Sequence, residues 1–167
     1  MKRIVLIGGG GHCKSVINTL NRLRTYDEIV VVDRNFPQTR SVLEIPVVGT
    51  DAMLLELKEE GYQDAFIAVG SIKSTMIRHL LFEKAISLGF HVPCIVDTSA
   101  QVSKYAKLEE GVFVGPNAVI NAGTHVSKMA IINTGAIVEH ECSVGEYTHV
   151  SIGAKLCGNV FIENDVL

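Results

Sequence analysis

Two short segments of this 167-residue chain combine residue types that could do chemistry. In one of them, Glu139-His140-Glu141, an imidazole stands between two carboxylates. A carboxylate beside a histidine fixes the tautomer and stabilises the imidazolium, so the pair can act as a general base. Transfer of an acyl group from a thioester to an amine or a hydroxyl needs such a base. On spacing alone, the alternative is an ordinary exposed histidine.

The other segment is Gly8-Gly9-Gly10-Gly11-His12, which lies between an apolar run and a stretch with helical spacing. Backbone N–H groups at a glycine turn and a helix N-terminus form an anion site suited to phosphate or pyrophosphate. The dinucleotide pattern G-x-G-x-x-G fails at position 13, and the P-loop spacing fails as well. The segment therefore predicts nucleotide binding without indicating NAD. The alternative is a turn needed only for strand–helix packing.

The elements around the glycine segment alternate between strands and helices up to about residue 96. Apolar runs predict strands over 3–7, 29–32, 65–69 and 92–96. Helical spacing predicts helices over 12–23, from Thr50-Asp51 to Gly61, and over 71–88. Such alternation is typical of a mostly parallel, doubly wound α/β sheet. The first half is thus predicted to be a reduced, Rossmann-like domain.

The carboxyl edge of that sheet is the expected ligand crevice, because ligands bind there in doubly wound folds. Asp33 follows the second strand, where an acid can bind a ribose or a base; a plain turn residue is the alternative. Gly70-Ser71 follows the third strand. The predicted substrate-binding residues are Gly8, Gly10, Gly11, His12, Asp33, Gly70 and Ser71.

Beyond residue 96 an aliphatic residue recurs at every sixth position. The series is Val96, Val102, Leu108, Val114, Ile120, Val126, Ile132, Val138, Val144, Val150, Leu156 and Ile162. The fourth residue after each of these, from Val102 onward, is small or β-branched: Ala106, Val112, Ala118, Thr124, Ala130, Ala136, Cys142, Thr148, Ala154, Val160 and Val166.

A unit of six residues can supply one short strand and one tight corner, with the aliphatic side chain pointing inward. Each coil then buries its inner face by stacking on its neighbours. Ordinary sandwich strands are the alternative, but their period of two does not generate a period of six. We therefore predict a Rossmann-like domain over residues 1–96 and a parallel β-helix over residues 97–167.

The second half resembles the hexapeptide-repeat acyltransferases. That resemblance implies a left-handed β-helix with three hexads in each coil. Enzymes of this kind usually continue for several more hexads, whereas this chain stops at Leu167 inside a hexad. The resemblance accordingly leads us to expect a C-terminally truncated β-helix.

Two segments carry a narrower resemblance. Residues 133–142 (NTGAIVEHEC), continuing to His149 and to residues 153–155 (GAK), look very like the sialic-acid O-acetyltransferase (NeuD) and UDP-4-amino-sugar N-acetyltransferase (PglD-like) family. The glycine segment and His12 look like the start of the same family. The resemblance therefore covers both predicted domains in the expected order.

The narrower resemblance implies roles for matching residues. His140 would be the catalytic base and Glu141 would orient it. Asn133 and His149 would line the acetyl-CoA site. Gly153 and Lys155 are further predicted cofactor-binding residues, with backbone N–H groups near Gly153 hypothesised to hold part of the cofactor or to polarise its carbonyl. His12 would lie near the phosphates of a sugar nucleotide, and Asp33 would help to hold its base or ribose. No metal is required by this chemistry.

The function that this resemblance implies is N-acetylation of a UDP-4-amino-sugar in bacterial surface-glycan biosynthesis. One alternative is O-acetylation of sialic acid or a related sugar. Another, from a different class, is a non-catalytic protein that binds nucleotide sugars or acts as a scaffold. The resemblance also implies a homotrimer, with each active site between two adjacent β-helices.

Composition and charge bound the remaining possibilities. The net charge of −3 argues against a nucleic-acid partner, which would favour a basic face. No apolar stretch approaches the roughly 20 residues of a membrane span, and the four cysteines have no metal spacing. A cytoplasmic location is expected. His79, His91 and His125 are predicted to be structural or solvated, His125 because no acid adjoins it in the sequence.

Overall fold

The structure is a computed structural model that describes residues 1–71 and 73–167 and groups them into two units. The first unit comprises Met1–Gly70 and Met76–Pro93. The second comprises Ser71–Thr75 and Cys94–Leu167. The main change of unit thus falls between residues 93 and 94, where the sequence predicted it between 96 and 97.

A five-stranded sheet forms the centre of the first unit, with the order β3-β4-β2-β1-β5. Its strands are β1 (Arg3–Ile7), β2 (Glu28–Val32), β3 (Ser41–Val42), β4 (Ile45–Gly49) and β5 (Asp64–Ile67). All neighbouring strands are parallel except β3, which is antiparallel to β4. The last four residues of β1 are buried on both faces, which explains its unbroken apolar run.

Helices cover this sheet. They are α1 (Gly11–Leu23), α2 (Leu54–Glu59), which follows a 3-10 turn at Asp51–Met53, and α3 (Met76–Ser87). α1 packs its apolar face inward through Val16, Ile17 and Leu20. Thr50 caps the 3-10 turn, since its hydroxyl accepts a hydrogen bond from the Ala52 N–H at 3.4 Å. No helix among the described residues has the length and apolar character to cross a membrane.

Three elements of the first half differ from the sequence prediction. The β3–β4 hairpin was not predicted, because Pro46 and Gly49 interrupt the apolar run. α3 begins at Met76 rather than at Ser71. Of the strand predicted over 92–96, only Ile95–Val96 forms a strand, and it pairs with a strand of the second unit. The sequence of a short apolar segment does not determine which strand it will pair with.

The second unit is a parallel β-helix, as the six-residue period predicts. Its strands, each of two residues, are β6 (Ile95–Val96), β7 (Gln101–Val102), β8 (Lys107–Leu108), β9 (Phe113–Val114), β10 (Val119–Ile120), β11 (His125–Val126), β12 (Ile131–Ile132), β13 (Ile137–Val138), β14 (Ser143–Val144), β15 (His149–Val150), β16 (Lys155–Leu156) and β17 (Phe161–Ile162). They stack into three four-stranded sheets, in which each residue pairs with the one 18 positions later, as Val119 does with Ile137. One coil therefore holds three hexads.

The aliphatic series fills the interior of the β-helix. From Val114 to Val144 its members are almost completely buried, and the small corner residues Ala118, Ala130 and Ala136 pack among them. Burial of one such aliphatic side chain contributes about 1.5–3 kcal/mol. Val102, Leu108 and Leu156, in the first and last coils, are only partly buried. The stability of this unit therefore comes mainly from the middle coils.

The corners bring the backbones of successive coils close together. We predict that Gly145→Ala destabilises the β-helix, because a Cβ at residue 145 would overlap the backbone of Glu163 and Asn164. Overpacking of this kind typically costs about 1–3 kcal/mol. Urea unfolding followed by circular dichroism measures the loss.

Gly11→Ala is the matched control for that substitution. A Cβ on Gly11 meets nothing within 4 Å, and residue 11 begins a helix. The free energy of unfolding of the Gly11→Ala variant should therefore equal or slightly exceed that of the wild type. Equal stability of Gly145→Ala and the wild type would contradict the close approach of the two coils.

Candidate active site

His140 and Glu141 lie together in the corner that joins β13 to β14. The Nδ1 atom of His140 is 3.4 Å from Oε2 of Glu141, and the two side chains are 58% and 70% exposed. Among the described residues, Nε2 of His140 has no hydrogen-bond partner. The ring thus has one nitrogen within ion-pair distance of a carboxylate and the other without a hydrogen-bond partner.

The backbone at Glu141 is left-handed, with φ of 59°. The equivalent corner residues one coil before and one coil after are Gly123 and Asn159, two types that tolerate this conformation. A residue with a larger side chain pays roughly 1–2 kcal/mol to adopt it. The corner therefore retains a strained glutamate where it could hold glycine, and the glutamate is what brings a carboxylate to His140.

A network in the coil before fixes the backbone on the other side of His140. Oε2 of Glu139 accepts hydrogen bonds from Nδ2 of Asn121 at 2.9 Å and from the His140 N–H at 3.3 Å. The hydroxyl of Thr124 donates to the carbonyl of Glu139 at 2.8 Å. Of the two carboxylates that flank His140, Glu139 therefore holds the corner while Glu141 faces the ring.

Gly158, in the coil after, makes room for the imidazole. A Cβ built on Gly158 would lie 2.5 Å from both Cε1 and Nε2 of His140. The ring thus occupies the space that any side chain at residue 158 would take. Neither Gly158 nor Asn121 was singled out in the sequence, although each lies 18 positions from a residue of the predicted site and so one coil away.

Asn133 and His149 are brought together as a second cluster. Nδ2 of Asn133 is 2.9 Å from Nε2 of His149, and Nδ1 of His149 is 3.0 Å from the Ser71 carbonyl oxygen. A carbonyl can only accept, so we assign the proton to Nδ1, and Nε2 then accepts from the asparagine. Both ring nitrogens are used, which suits His149 to a fixed, neutral role.

Gly153 and Lys155 follow His149 in the same coil, the first in the corner before β16 and the second on β16. The Gly153 N–H donates to the Thr134 carbonyl at 3.0 Å, so this particular N–H is not available to a ligand. A Cβ on Gly153 would meet nothing within 4 Å, so the space above it is open. Lys155 is exposed on β16, and its ammonium has no partner among the described residues. An open surface beside a cation is suited to an anionic group.

A cavity of about 460 Å³ opens at the carboxyl edge of the five-stranded sheet. Four of the predicted substrate-binding residues line it: Gly8, Gly10, Asp33 and Gly70. The sequence prediction missed Arg34, Asn35, Thr39 and Asp51 on its polar side, and Ile77 and Leu81 on its apolar side. Such a volume lies within the usual range for small-molecule sites.

The glycine segment presents its backbone to this edge. α1 begins at Gly11 without a side-chain cap, and a helix N-terminus of this kind is suited to an anion. Cβ atoms on Gly10 and Gly11 would meet nothing within 4 Å, whereas one on Gly8 would overlap Val69. The first glycine of the segment is therefore required by packing, and the later two leave open space.

Asp33 connects two loops at the same edge. Its Oδ2 accepts from the Gly9 N–H at 2.6 Å, and its Oδ1 accepts from the Asn35 N–H at 2.8 Å. Both carboxylate oxygens thus already have a backbone donor. This geometry gives Asp33 a role in shaping the cavity, alongside the predicted contact with a ribose or base.

The other predicted substrate residues lie at different places. His12 is half-buried, and a Cβ on Gly70 would be 3.3 Å from its Cβ, so His12 packs beside the cavity-lining Gly70. Ser71 does not line the cavity. It groups with the β-helix, where its carbonyl accepts the proton of His149.

Two histidines expected to be structural or solvated have carboxylate partners that the sequence did not indicate. Nε2 of His125 donates to Oε1 of Glu109 at 2.8 Å, and this hydrogen bond lowers the pKa of Glu109. The acid that His125 lacks in sequence thus comes from the coil before. Nδ1 of His91 lies 3.0 Å from Oδ1 of Asp64.

Cys13 follows the glycine segment and is buried in α1. Burial, with a smaller contribution from the charge of Asp33, raises the pKa of its thiol to about 12. The thiolate is the nucleophilic form of cysteine, and it is scarce at neutral pH under these conditions. A covalent role for Cys13 is therefore not favoured.

Comparison with known proteins identifies similar chains for both units. The family model "PglD N-terminal domain" matches residues 3–85. The acetyltransferase domain of PglB from Neisseria gonorrhoeae is 37% identical, with a TM-score of 0.89 over 97% of this chain and 77% of that one. PerB from Caulobacter crescentus, solved with CoA and GDP-perosamine, is 36% identical, with a TM-score of 0.87 over 98% of this chain and 78% of that one.

A second structure of the Neisseria gonorrhoeae PglB domain was solved in complex with acetyl coenzyme A. It is 31% identical to this chain, with a TM-score of 0.85 over 98% of this chain and 85% of that one. The similarity therefore covers both the α/β unit and the β-helix. Two of the similar structures were solved with CoA or acetyl coenzyme A bound.

We predict that Gly158→Ala displaces the His140 ring while it changes the free energy of unfolding by less than about 1 kcal/mol. The added methyl group takes the space of the ring, and an exposed histidine can turn into another rotamer at small cost. NMR of the histidine rings, with His140→Ala to assign the signal, measures the displacement.

Cys157→Ala is the control, because it alters the exposed neighbouring residue and leaves the space over Gly158 unchanged. An unchanged His140 ring signal in Gly158→Ala would mean that the imidazole does not rest on this glycine.

Proposed function

We propose that this chain, which belongs to the PglD-like family of acetyl-CoA-dependent sugar acetyltransferases, N-acetylates a nucleotide-linked amino sugar. PerB, the GDP-perosamine N-acetyltransferase, supports an amine acceptor, since it is 36% identical to this chain over 98% of this chain and 78% of PerB. A UDP-4-amino-sugar for a bacterial surface glycan remains our specific expectation, and a GDP-linked amino sugar is the alternative that PerB favours.

One observation carries the proposal: on an exposed side chain, Nδ1 of His140 lies 3.4 Å from Oε2 of Glu141, and Nε2 has no hydrogen-bond partner among the described residues. This is the arrangement that a general base needs, with one nitrogen oriented and the other free to take a proton. His149 has both nitrogens in use, and His125 has its Nε2 bound to Glu109. Among the three histidines of the β-helix, His140 is thus the one suited to proton transfer.

The reaction moves one proton through His140. The sugar amine, in its neutral form, bonds to the acetyl carbon of the thioester while Nε2 of His140 removes a proton from the amine nitrogen. The bond between the acetyl carbon and the sulfur then breaks, and the proton passes to the departing thiolate. Glu141 stabilises the imidazolium that exists between these two transfers.

The cavity of the α/β unit supplies a site for the nucleotide part of the acceptor. The uncapped N-terminus of α1 can bind a diphosphate, and the open space over Gly10 and Gly11 lets phosphate oxygens approach the backbone. A nucleotide bound by its phosphates at this edge extends its ribose and base past the end of β2.

We assign acetyl-CoA to the surface around the Asn133–His149 cluster. The cluster is rigid, because His149 is held by both nitrogens and the Asn133 side-chain oxygen accepts from the Thr134 N–H at 2.8 Å. Lys155 offers a free cation for the phosphates of the co-substrate. The open space over Gly153 leaves room for its chain.

A homotrimer would join the two clusters. His140 and Asn133 lie in different corners of the β-helix, at opposite ends of the side that contains β13. One extended six-residue side measures up to about 20 Å, too far for one reacting centre to contact both corners. If the His140 corner of one copy faces the Asn133 corner of the next, three copies close a ring with three complete sites.

His140→Ala should lower the rate of thiol release from acetyl-CoA by about 10²–10⁴-fold with a nucleotide-linked 4-amino-sugar as acceptor, because a general base contributes that much. The measurement is a continuous thiol assay at saturating acetyl-CoA. His125→Ala is the matched control, since His125 also belongs to the β-helix and also contacts a glutamate. Its rate should stay close to the wild-type rate.

An acceptor panel extends the same assay. Turnover with a hydroxyl acceptor such as sialic acid, but not with amino sugars, would replace N-acetylation with O-acetylation. Nucleotide-sugar binding without any thiol release would indicate a binding or scaffold protein. Full activity in His140→Ala would place the base elsewhere.

Glu141→Gly should separate stability from activity. Glycine relieves the left-handed strain at residue 141, so we expect the melting temperature to stay the same or rise. The kcat should fall by about tenfold or more, because the imidazolium loses its carboxylate partner, while the KM for both substrates changes little. Thermal unfolding and steady-state kinetics measure the two effects.

Asp165→Gly is the control for the backbone effect, because Asp165 is another acidic corner residue with φ of 60° and lies in a different corner. It should change stability without lowering kcat. A Glu141→Gly enzyme with the wild-type kcat would show that the carboxylate does not support His140.

A further inference from the structure

Arg34 is a charged residue of the cavity whose role the proposed reaction leaves open. It follows Asp33 at the end of β2 and lines the cavity, and its side chain is exposed. Its guanidinium has no ion pair and no hydrogen bond to any described residue. A planar cation with five N–H donors and no partner is available to a ligand.

The other charged residues that line the cavity are already paired. Asp33 has both oxygens occupied by the Gly9 and Asn35 N–H groups. Asp51 forms an ion pair with Nζ of Lys84 at 2.6 Å. Within residues 1–71 and 73–167, Arg34 is therefore the one charged group at this cavity without a partner.

The position of Arg34 matches the base of a nucleotide. β1 and β2 pair in register, with Ile7 opposite Val32, so the glycine segment and Asp33 leave the sheet side by side. If the phosphates lie on the N-terminus of α1, the ribose and base extend past the end of β2, where the residue after Asp33 begins the next loop.

The chemistry of a guanidinium selects among bases. It donates hydrogen bonds and accepts none, so it pairs with carbonyl oxygens such as O4 of uracil or O6 of guanine. Adenine has an amino group at the equivalent edge, which is itself a donor. We infer that Arg34 reads the base of the nucleotide-linked substrate and selects keto bases, uracil or guanine, over adenine.

This inference rests on the proposed function, because it assumes that the cavity binds the nucleotide of the acceptor. It agrees with either a UDP-linked or a GDP-linked sugar, and it predicts weaker binding of an ADP-linked one. It also names Arg34 as a specificity-determining residue that the sequence analysis did not identify.

The test compares IDP with ADP by titration calorimetry on the full chain, since hypoxanthine and adenine differ only in the group at C6, keto or amino, and in the proton on the adjacent N1. The wild type should bind IDP about tenfold more tightly than ADP, as expected for one charge-assisted hydrogen bond. Arg34→Ala should remove that difference, mainly by weakening IDP binding. UDP and GDP binding should weaken to a similar degree.

Two further variants separate base reading from charge and folding. Arg34→Lys keeps the positive charge and a donor but loses the planar fork, so its preference for IDP should lie between those of the wild type and Arg34→Ala. Arg40→Ala removes an exposed arginine that does not line the cavity, and should bind as the wild type does. Thermal unfolding verifies that each variant folds.

The outcomes are distinguishable. Equal binding of IDP and ADP by the wild type, or an equal loss for both in Arg34→Ala, would overturn base reading by Arg34 and leave the nucleotide site intact. If the wild type binds no nucleoside diphosphate, both this inference and the nucleotide site of the proposed function are wrong. The His140→Ala assay tests the chemistry independently of these results.

Discussion

Backbone pairing between residues 18 positions apart is the constraint on which the β-helix and its site depend. The in-register ladder stacks each corner on the corner before and the corner after, so a functional corner is built from three coils at once. Asn121 lies below Glu139 in this way, and Gly158 lies over His140. The hydrogen bonds that hold the coils together thus also fix what surrounds the imidazole.

Much of this architecture could be predicted from the sequence, because a period of six is a local pattern that survives in the folded chain. The Asn121–Glu139 contact and the position of Gly158 could have been predicted too, since adding or subtracting 18 from a site residue gives its neighbour in the next coil. The β3–β4 hairpin and the free guanidinium of Arg34 could not, because both depend on which partners the folded chain provides.

Glu141 shows that a corner of the repeat tolerates a large side chain in a left-handed conformation, as Met129 and Tyr147 also do. The corner geometry requires a left-handed residue, and Gly123 and Asn159 meet that requirement with little strain in the neighbouring coils. A glutamate at the same place is less favourable for folding, by an amount comparable to one weak hydrogen bond. The interior ladder of buried aliphatic residues is large enough to offset this cost. Charged side chains can therefore be placed at the corners of this fold without changes to its core.

Residues whose polar atoms are all hydrogen-bonded within the protein can position other groups, whereas residues with an unpaired polar atom can contact a substrate. Asp33 and His149 have their polar atoms occupied by the protein, and both hold other parts of the site in place. Nε2 of His140 and the guanidinium of Arg34 have no partner among the described residues, and α1 begins without a side-chain cap. Under the proposed function they would serve as the base, the base-reading cation and the anion site for an acceptor with a nucleobase, a diphosphate and a proton to lose. A polar group without a partner in the protein therefore indicates where a ligand could bind, whereas a paired one indicates what holds the site together.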